Sequence, residues 1–375
     1  MNAKTPQERI PHFDYERTHA PDLDELMRLY DEVTASGNFI LKGRVQEFEQ
    51  NVARLTGRAH AVATSSATMA MTLGLKALGV GPGDEVVTPA FSYTATAGVV
   101  PAIGARIVFC DVDEASFLVT PELILDALTE RTRAVIVPHL FRRLADVPAI
   151  RGALKGRDVA ILEDAATAIG GRFADGSAAG AAGDFGAVSF FPAKPLGGIG
   201  DGGMMLTDCE EVARRCRSLR NHGQDGITRF VHHEVGYNAR MDEWNAAYLS
   251  YKAERLDSAI QARREAAALY EEALAGVPVA HQAETEHEGV PYAFVILVQD
   301  SRRTAALLGS RGIATKTYTS LDRHPAYASA AIGRSLEGAQ AASERALALP
   351  FFPGITRGEV ERVVSALSEF EPGSA

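Results

Sequence analysis

Cysteine is scarce in this chain: there are three in 375 residues, and Cys110, Cys209 and Cys216 form neither a CxxC pair nor a metal-type spacing with histidine. That excludes a disulfide framework and a cysteine-based metal site, and it fits a reduced, cytoplasmic protein. Long apolar runs are also missing. No stretch approaches the roughly 18 uninterrupted residues of a membrane span, and Met1 to Tyr15 is polar and proline-interrupted, without the apolar centre of a secretory signal. Positive charge is in short supply, since 38 Lys and Arg against 48 Asp and Glu leave a formal net charge of -10. Nucleic acid is disfavoured as a partner, because phosphate backbones are held by clustered basic residues. Internal repeats and low-complexity segments are absent as well.

What is present is a core-forming composition, with 46% apolar and 23% charged residues. The length suits one large α/β domain with a smaller companion. From Ala61 onward, short Val- and Ile-rich runs alternate with helical patterns: Asp84 to Thr88, Arg106 to Asp111, Ala134 to Pro138, Val159 to Glu163 and Ala187 to Phe190. This alternation predicts a doubly wound, mostly parallel sheet covered on both faces. Around Asn221 to Arg240 the pattern loosens into a polar, His- and Gly-rich segment, and Asp242 to Leu274 then reads as one long amphipathic helix. The predicted division is residues 1–240 for the large domain with its N-terminal segment, and 241–375 for a smaller C-terminal α+β domain. In the latter a strand at Ala293 to Val298 and helices at Ser301 to Arg311 and Arg357 to Phe370 are expected.

In doubly wound sheets, ligands sit beyond the carboxyl ends of strands. Asp164, closing the run VAILED, is therefore a first candidate, as a carboxylate able to keep a bound heterocycle protonated or, more plainly, as a helix N-cap. In AVSFFPAKPLGGIGDGG a strand stops at Pro192, two residues before Lys194, and glycines then free the backbone for tight turns. By itself Lys194 reads as a surface lysine in a Gly-rich turn; beside Asp164 it becomes a candidate for covalent chemistry in a site that favours its neutral amine. Ser65, Ser66, Ala67 and Thr68 precede a helical segment, and free N–H groups at a helix N-terminus make an anion site as well as an ordinary cap. Ser189 adds a further hydroxyl. In PAFSYTATAG, Tyr93 first and Phe91 second are candidates to stack on a planar ring, although core packing is the usual fate of such residues.

Set in order, these segments resemble the DegT/DnrJ/EryC1/StrS family of sugar aminotransferases, which are fold type I, pyridoxal-5′-phosphate (PLP) dependent enzymes. The likeness runs over nearly the whole chain, through SGNFILKGRVQEFE, VATSSATMAMTLGLKALGVGPGDEVVTPAFSYTAT, ILEDAATAIGG, AVSFFPAKPLGGIGDGGMMLT, RNHGQ with VGYNARMDEWNAAYL, and ALALPFFPGIT. The resemblance implies that Lys194 carries PLP as a Schiff base, that Asp164 partners the ring nitrogen, and that Ala67, Thr68 and Ser189 contact the phosphate. It implies a homodimer with shared active sites, in which Asn238 and Arg240 reach the neighbouring subunit's site. The implied reaction moves an amine from glutamate or glutamine to a keto sugar, nucleotide-linked, or to a keto cyclitol. No metal is expected.

The chain also departs from the family pattern. Thr167 stands where Gln is usual near the cofactor's phenolic oxygen, Arg142 and Arg143 interrupt HLFRRLAD where a glycine and a polar residue are usual, and Asp322 replaces the histidine of a PLH element. The two guanidiniums could grip a substrate carboxylate or phosphate, or form a solvated charged turn. His139, His222, His232 and His233 are further candidates to line the site, against the plainer role of structural or surface histidines. Two alternatives stand beside transamination. One is a dehydratase-like PLP enzyme, against which Lys194 argues because the family's dehydratases carry histidine there; the other is a non-catalytic regulatory protein that keeps the fold.

Overall fold

The structure, a computed structural model, describes residues 9–228 and 230–370. Its principal sheet contains β1 (His60–Thr64), β2 (Glu85–Pro89), β3 (Arg106–Cys110), β4 (Thr132–Pro138), β5 (Ala160–Asp164), β6 (Phe185–Ser189) and β7 (Gly203–Thr207). A second, four-stranded sheet is built from β8 (Ala280–His281), β9 (Val295–Leu297), β10 (Lys316–Thr317) and β12 (Ala346–Ala348), while the short β11 (Ala331–Ile332) joins the edge of the first. The principal order is β1-β7-β6-β5-β4-β2-β3-β11, and β7 alone runs antiparallel to its neighbours. This is the doubly wound, mostly parallel α/β sheet expected from the alternation of short apolar runs and helices.

The central strands β2 and β6 are buried at every position, as required when helices cover both faces of a parallel sheet. Glycine permits two close approaches that set the layout. A Cβ on Gly74, in the helix Ala67–Ala77, would meet the Phe185 ring at 2.2 Å, so that helix lies directly against β6. A Cβ on Gly203 would sit 2.2 Å from the Ser66 carbonyl carbon, so the start of the same helix presses against the beginning of β7.

A second apolar core gathers Tyr270, Phe294, Ile296, Leu308, Leu347, Phe352, Val363 and Leu367 around the smaller sheet. Ile10 joins it, held by backbone bonds to Gly312 and Ala314. The stretch Asp242 to Leu274, expected as one helix, is two: Glu243–Ala253 and Leu256–Ala273. No proline or glycine marks the break. It arises because the first helix packs on the helix Gly43–Thr56, whereas the second packs on the helix Arg357–Phe370 across the other core. Among the described residues, no helix is long and apolar enough to cross a membrane.

Candidate active site

The carboxyl ends of β1, β2, β4, β5 and β6 open on one edge of the sheet, and the antiparallel β7 begins there. Asp164 ends β5, and Ser189 ends the adjacent β6. Asp164 is buried; its carboxylate accepts hydrogen bonds from Thr96 Oγ1 at 3.2 Å and from the Ala166 N–H at 3.1 Å. Burial raises its proton affinity above the usual carboxylate range, opposed by the Ala166 N–H, Lys194, Thr96 and His139.

Lys194 projects from a turn closed by its own N–H to the Phe191 carbonyl and by the Gly198 N–H to the Phe190 carbonyl, both at 2.8 Å. Gly197 is required there, since a Cβ would lie 2.3 Å from the Pro192 oxygen. The lysine Nζ lies 4.3 Å from the centre of the Tyr292 ring. Burial pushes this amine down to about 8; Asp164 works against the shift, and Arg263 adds to it. Desolvation thus drives both members of the Lys194–Asp164 pair toward their neutral forms, which is how a fold prepares an amine for covalent chemistry.

The candidate anion site is the start of the helix Ala67–Ala77. Ser66 caps the helix Ala67–Ala77 by accepting from the Met69 N–H at 3.2 Å, so the N–H groups of Ala67 and Thr68 stand at the positive end of the helix without an intrahelical acceptor. Ser189 is buried nearby, opposite Gly203 on β7. The segment Asn238 to Arg240 runs past the same helix start, because the Ser65 N–H donates to the Ala239 carbonyl at 2.9 Å. Asn238 is exposed and accepts from Arg240 Nε, while Arg240 Nη1 donates to Asn221 Oδ1.

The two ring-stacking candidates separate clearly. Phe91 is 2% exposed in an aromatic cluster with Phe117, Phe141 and Tyr318, whereas Tyr93 is 74% exposed just before the helix Thr94–Ala102. Thr167 spends its hydroxyl proton on the His139 carbonyl at 3.1 Å. His139 is buried, donating from Nε2 to Glu163 at 2.8 Å and accepting the Ala145 N–H at Nδ1. The remaining histidine candidates lie in the loop after Asn221: His232 Nδ1 bonds the His222 carbonyl, and His233 pairs with Asp225.

Arg142 and Arg143 already face carboxylates. Arg142 is buried, bonds Glu271 at 2.6 Å and lies 4.8 Å from the centre of the Phe294 ring; Arg143 pairs with Glu284. Their chemistry is that of a clasp from the loop after β4 to the helix Leu256–Ala273, through Glu271, and to the segment just after β8, through Glu284. Asp322 sits in the turn Leu321–Arg323, which the Leu321 N–H ties to the Ala90 carbonyl at the end of β2; its Oδ1 is buried without a hydrogen-bond partner.

Four groups at the site escaped the sequence reading. Thr96 lies inside a motif already singled out, but its bond to Asp164 needs the parallel sheet. Tyr292 carries no local signal. His19 reaches the Pro192 carbonyl from Nε2 at 3.1 Å. Arg263 did leave a signal: Leu256, Ile260, Arg263, Ala267 and Tyr270 form the buried stripe of one helix, with an arginine at a core position.

The profile of the DegT/DnrJ/EryC1/StrS aminotransferase family matches residues 22–368. A pleiotropic regulatory protein of Geobacillus stearothermophilus is 37% identical over 368 residues, covering 96% of this chain and 98% of that one. A UDP-N-acetyl-3-dehydro-alpha-D-glucosamine 3-aminotransferase of Acidithiobacillus ferrooxidans is 36% identical, covering 96% of this chain and 97% of its own. Among solved structures, that of Streptomyces venezuelae DesV in complex with a ketimine intermediate superposes with a TM-score of 0.92 at 34% identity, over 98% of this chain and all of that one.

Proposed function

The chain belongs to the DegT/DnrJ/EryC1/StrS aminotransferase family and is a PLP-dependent enzyme, and from that premise we propose that it moves an amino group from glutamate or glutamine to a keto sugar, nucleotide-linked, in amino-sugar biosynthesis. The observation that carries this reading is the buried pair of Asp164, at the end of β5, and Lys194, on the turn after the adjacent β6, in which burial favours the neutral amine of the lysine. The substrate class is supported by the relative named for a UDP-linked keto sugar; a keto cyclitol is the related acceptor.

The residues present fit PLP. Ala67 and Thr68 at the helix start, with Ser66 and Ser189, would hold the phosphate, and Gly203 lets that helix start approach closely enough. The open ring of Tyr93 would cover the pyridine face, and Thr167 would lie along the cofactor's edge. Lys194 would hold the cofactor covalently. When bound, PLP supplies an electron sink for bonds to the substrate's amine-bearing carbon. Asp164 would hold a proton on the ring nitrogen, and the Lys194 amine would serve as the acid and base at that carbon. Asn238 and Arg240 would serve the neighbouring subunit of a cytoplasmic homodimer, and Asp322 would face the acceptor.

A second reading, a PLP-holding regulatory protein, is favoured by the regulatory name of one relative. The retained lysine and carboxylate favour turnover instead. Absorbance of the purified chain with PLP, before and after glutamate or glutamine, decides between them. A visible band that the donor bleaches, and that Lys194→Ala never develops, is expected; a band that no amino donor changes would leave the regulatory reading.

A further inference from the structure

Three consecutive carbonyls of the turn bearing Lys194 are held from one side by two basic side chains distant in sequence. His19 Nε2 donates to the Pro192 oxygen at 3.1 Å, and Arg263 Nη2 donates to those of Ala193 at 2.9 Å and Lys194 at 3.2 Å. Arg263 is 2% exposed and, among the described residues, has no carboxylate partner; its Nε and Nη1 are buried without any acceptor. The ring of Phe13 lies 6.0 Å from it. Leaving a guanidinium unpaired in a core is costly, and an apolar residue at this point of the helical stripe would pack without that cost. The fold keeps a cation here nonetheless, directly behind the turn from which Lys194 projects.

We propose that Arg263 is a positioning residue for Lys194: its buried Nη2 holds two consecutive carbonyls of the turn that presents the amine, with His19 on the third, and its unpaired charge stands against that turn as a fixed positive field. The carbonyl bonds take up part of the guanidinium's hydrogen-bonding capacity without cancelling its charge, as a carboxylate would, so the field stays available to the lysine. Arginine suits the task because it remains charged when buried; burial brings it down only to about 10.

The surrounding charges are few. Asp164, from β5, opposes the effect on Lys194, with His139 behind it. Tyr292 faces both Lys194 and Arg263, and Tyr318 stands near Tyr292. His19, which bonds the Pro192 carbonyl, has its own proton affinity lowered by burial, with Lys252, Asp22 and Arg263 as its charged neighbours. Arg263 is the group that tips the amine toward its neutral form by charge.

The inference rests on Lys194 being the cofactor lysine for its meaning, but its test does not. The pH midpoint of Lys194 acetylation by acetic anhydride, which reacts with the neutral amine, is read by mass spectrometry on the full chain. It is measured both without added cofactor and with pyridoxamine 5′-phosphate, for the wild type, Arg263→Gln and Arg263→Lys, alongside thermal melts. The wild-type midpoint is expected near 8. Arg263→Gln, which can still donate to the carbonyls but carries no charge, moves it up by about one pH unit, and Arg263→Lys, whose ammonium is more readily neutralised by the same burial, moves it up by a smaller margin. A purely structural arginine would lower both melting temperatures and leave all three midpoints together, and that result overturns the proposal. Should Arg263→Gln lose its melting transition, the other two proteins decide. An Arg263→Lys midpoint above that of the wild type then upholds the proposal, and coincident midpoints, or a wild-type midpoint near the ordinary ~10.4 of lysine, overturn it. Failure here leaves the aminotransferase assignment standing, since that rests on turnover.

Discussion

The loop after β4 and the loop after β6 both bring basic side chains to the same edge of the sheet, yet they treat charge in opposite ways. After β4, Arg142 and Arg143 are matched by Glu271 and Glu284, and Arg142 is packed on Phe294. After β6, Lys194 has a single buried carboxylate ahead of it, an unpaired guanidinium behind it, and an aromatic ring beside it. Charge satisfied on the spot holds two segments together. Charge left imperfectly compensated in a buried place shifts proton affinities, and that is where chemistry is to be sought.

The comparison can be broken most directly at Asp164. Replacement by Asn keeps the shape and removes the charge, and turnover should fall by about 10²-fold or more while the melting temperature changes little. An Asp164→Asn enzyme within a few-fold of wild type would mean that the β6 loop is no more specialised than the β4 loop.

Stability against pH sharpens the same contrast. The Lys194 amine titrates near 8 in the folded cofactor-free chain and near 10.5 once unfolded, so between those values the unfolded state binds more protons. Folding is therefore penalised below about pH 8, and the penalty is relieved as pH rises toward 10.5, by on the order of 2–3 kcal/mol. Denaturant melts of the wild type and Lys194→Met across that window should show the wild type gaining on the variant; parallel curves would refute an uncompensated lysine.

The smallest expected effect belongs to the matched loop. Arg142→Met should cost about 1–2 kcal/mol, because the side chain leaves its place on Phe294 while Glu271, half exposed, can be solvated. Its kcat/KM should stay within a few-fold of wild type. A large loss of kcat/KM at unchanged stability would instead make Arg142 a substrate contact.

Much of this molecule was legible along the chain. Strands β2 to β6 appear as apolar runs within a few residues of their observed limits, because a strand buried on both faces must be apolar at nearly every position. Lys194 and Asp164 stand out because Pro192, the following glycines and the end of β5 are local signals. Strand β7 was not singled out, since GMMLT follows a Gly-rich loop and its pairing partners β1 and β6 lie elsewhere in the sequence. The break at Glu254 was invisible for a related reason: both halves have good helical sequence, and only the two cores on which they pack separate them.

The sequence by itself determined the layered α/β plan through its periodicity and the cofactor class through ordered motifs that resemble those of the family, and it offered Lys194 and Asp164 as candidates through turn residues and strand ends. Only the tertiary structure decided how those groups are charged. Whether a guanidinium meets a carboxylate, as Arg142 does, or two carbonyls of a turn and, among the described residues, no counter-ion, as Arg263 does, depends on which distant segments share a few ångströms of low-dielectric space. Coulomb energies and desolvation are set by that proximity, and proximity across the fold is not written in spacing along the chain.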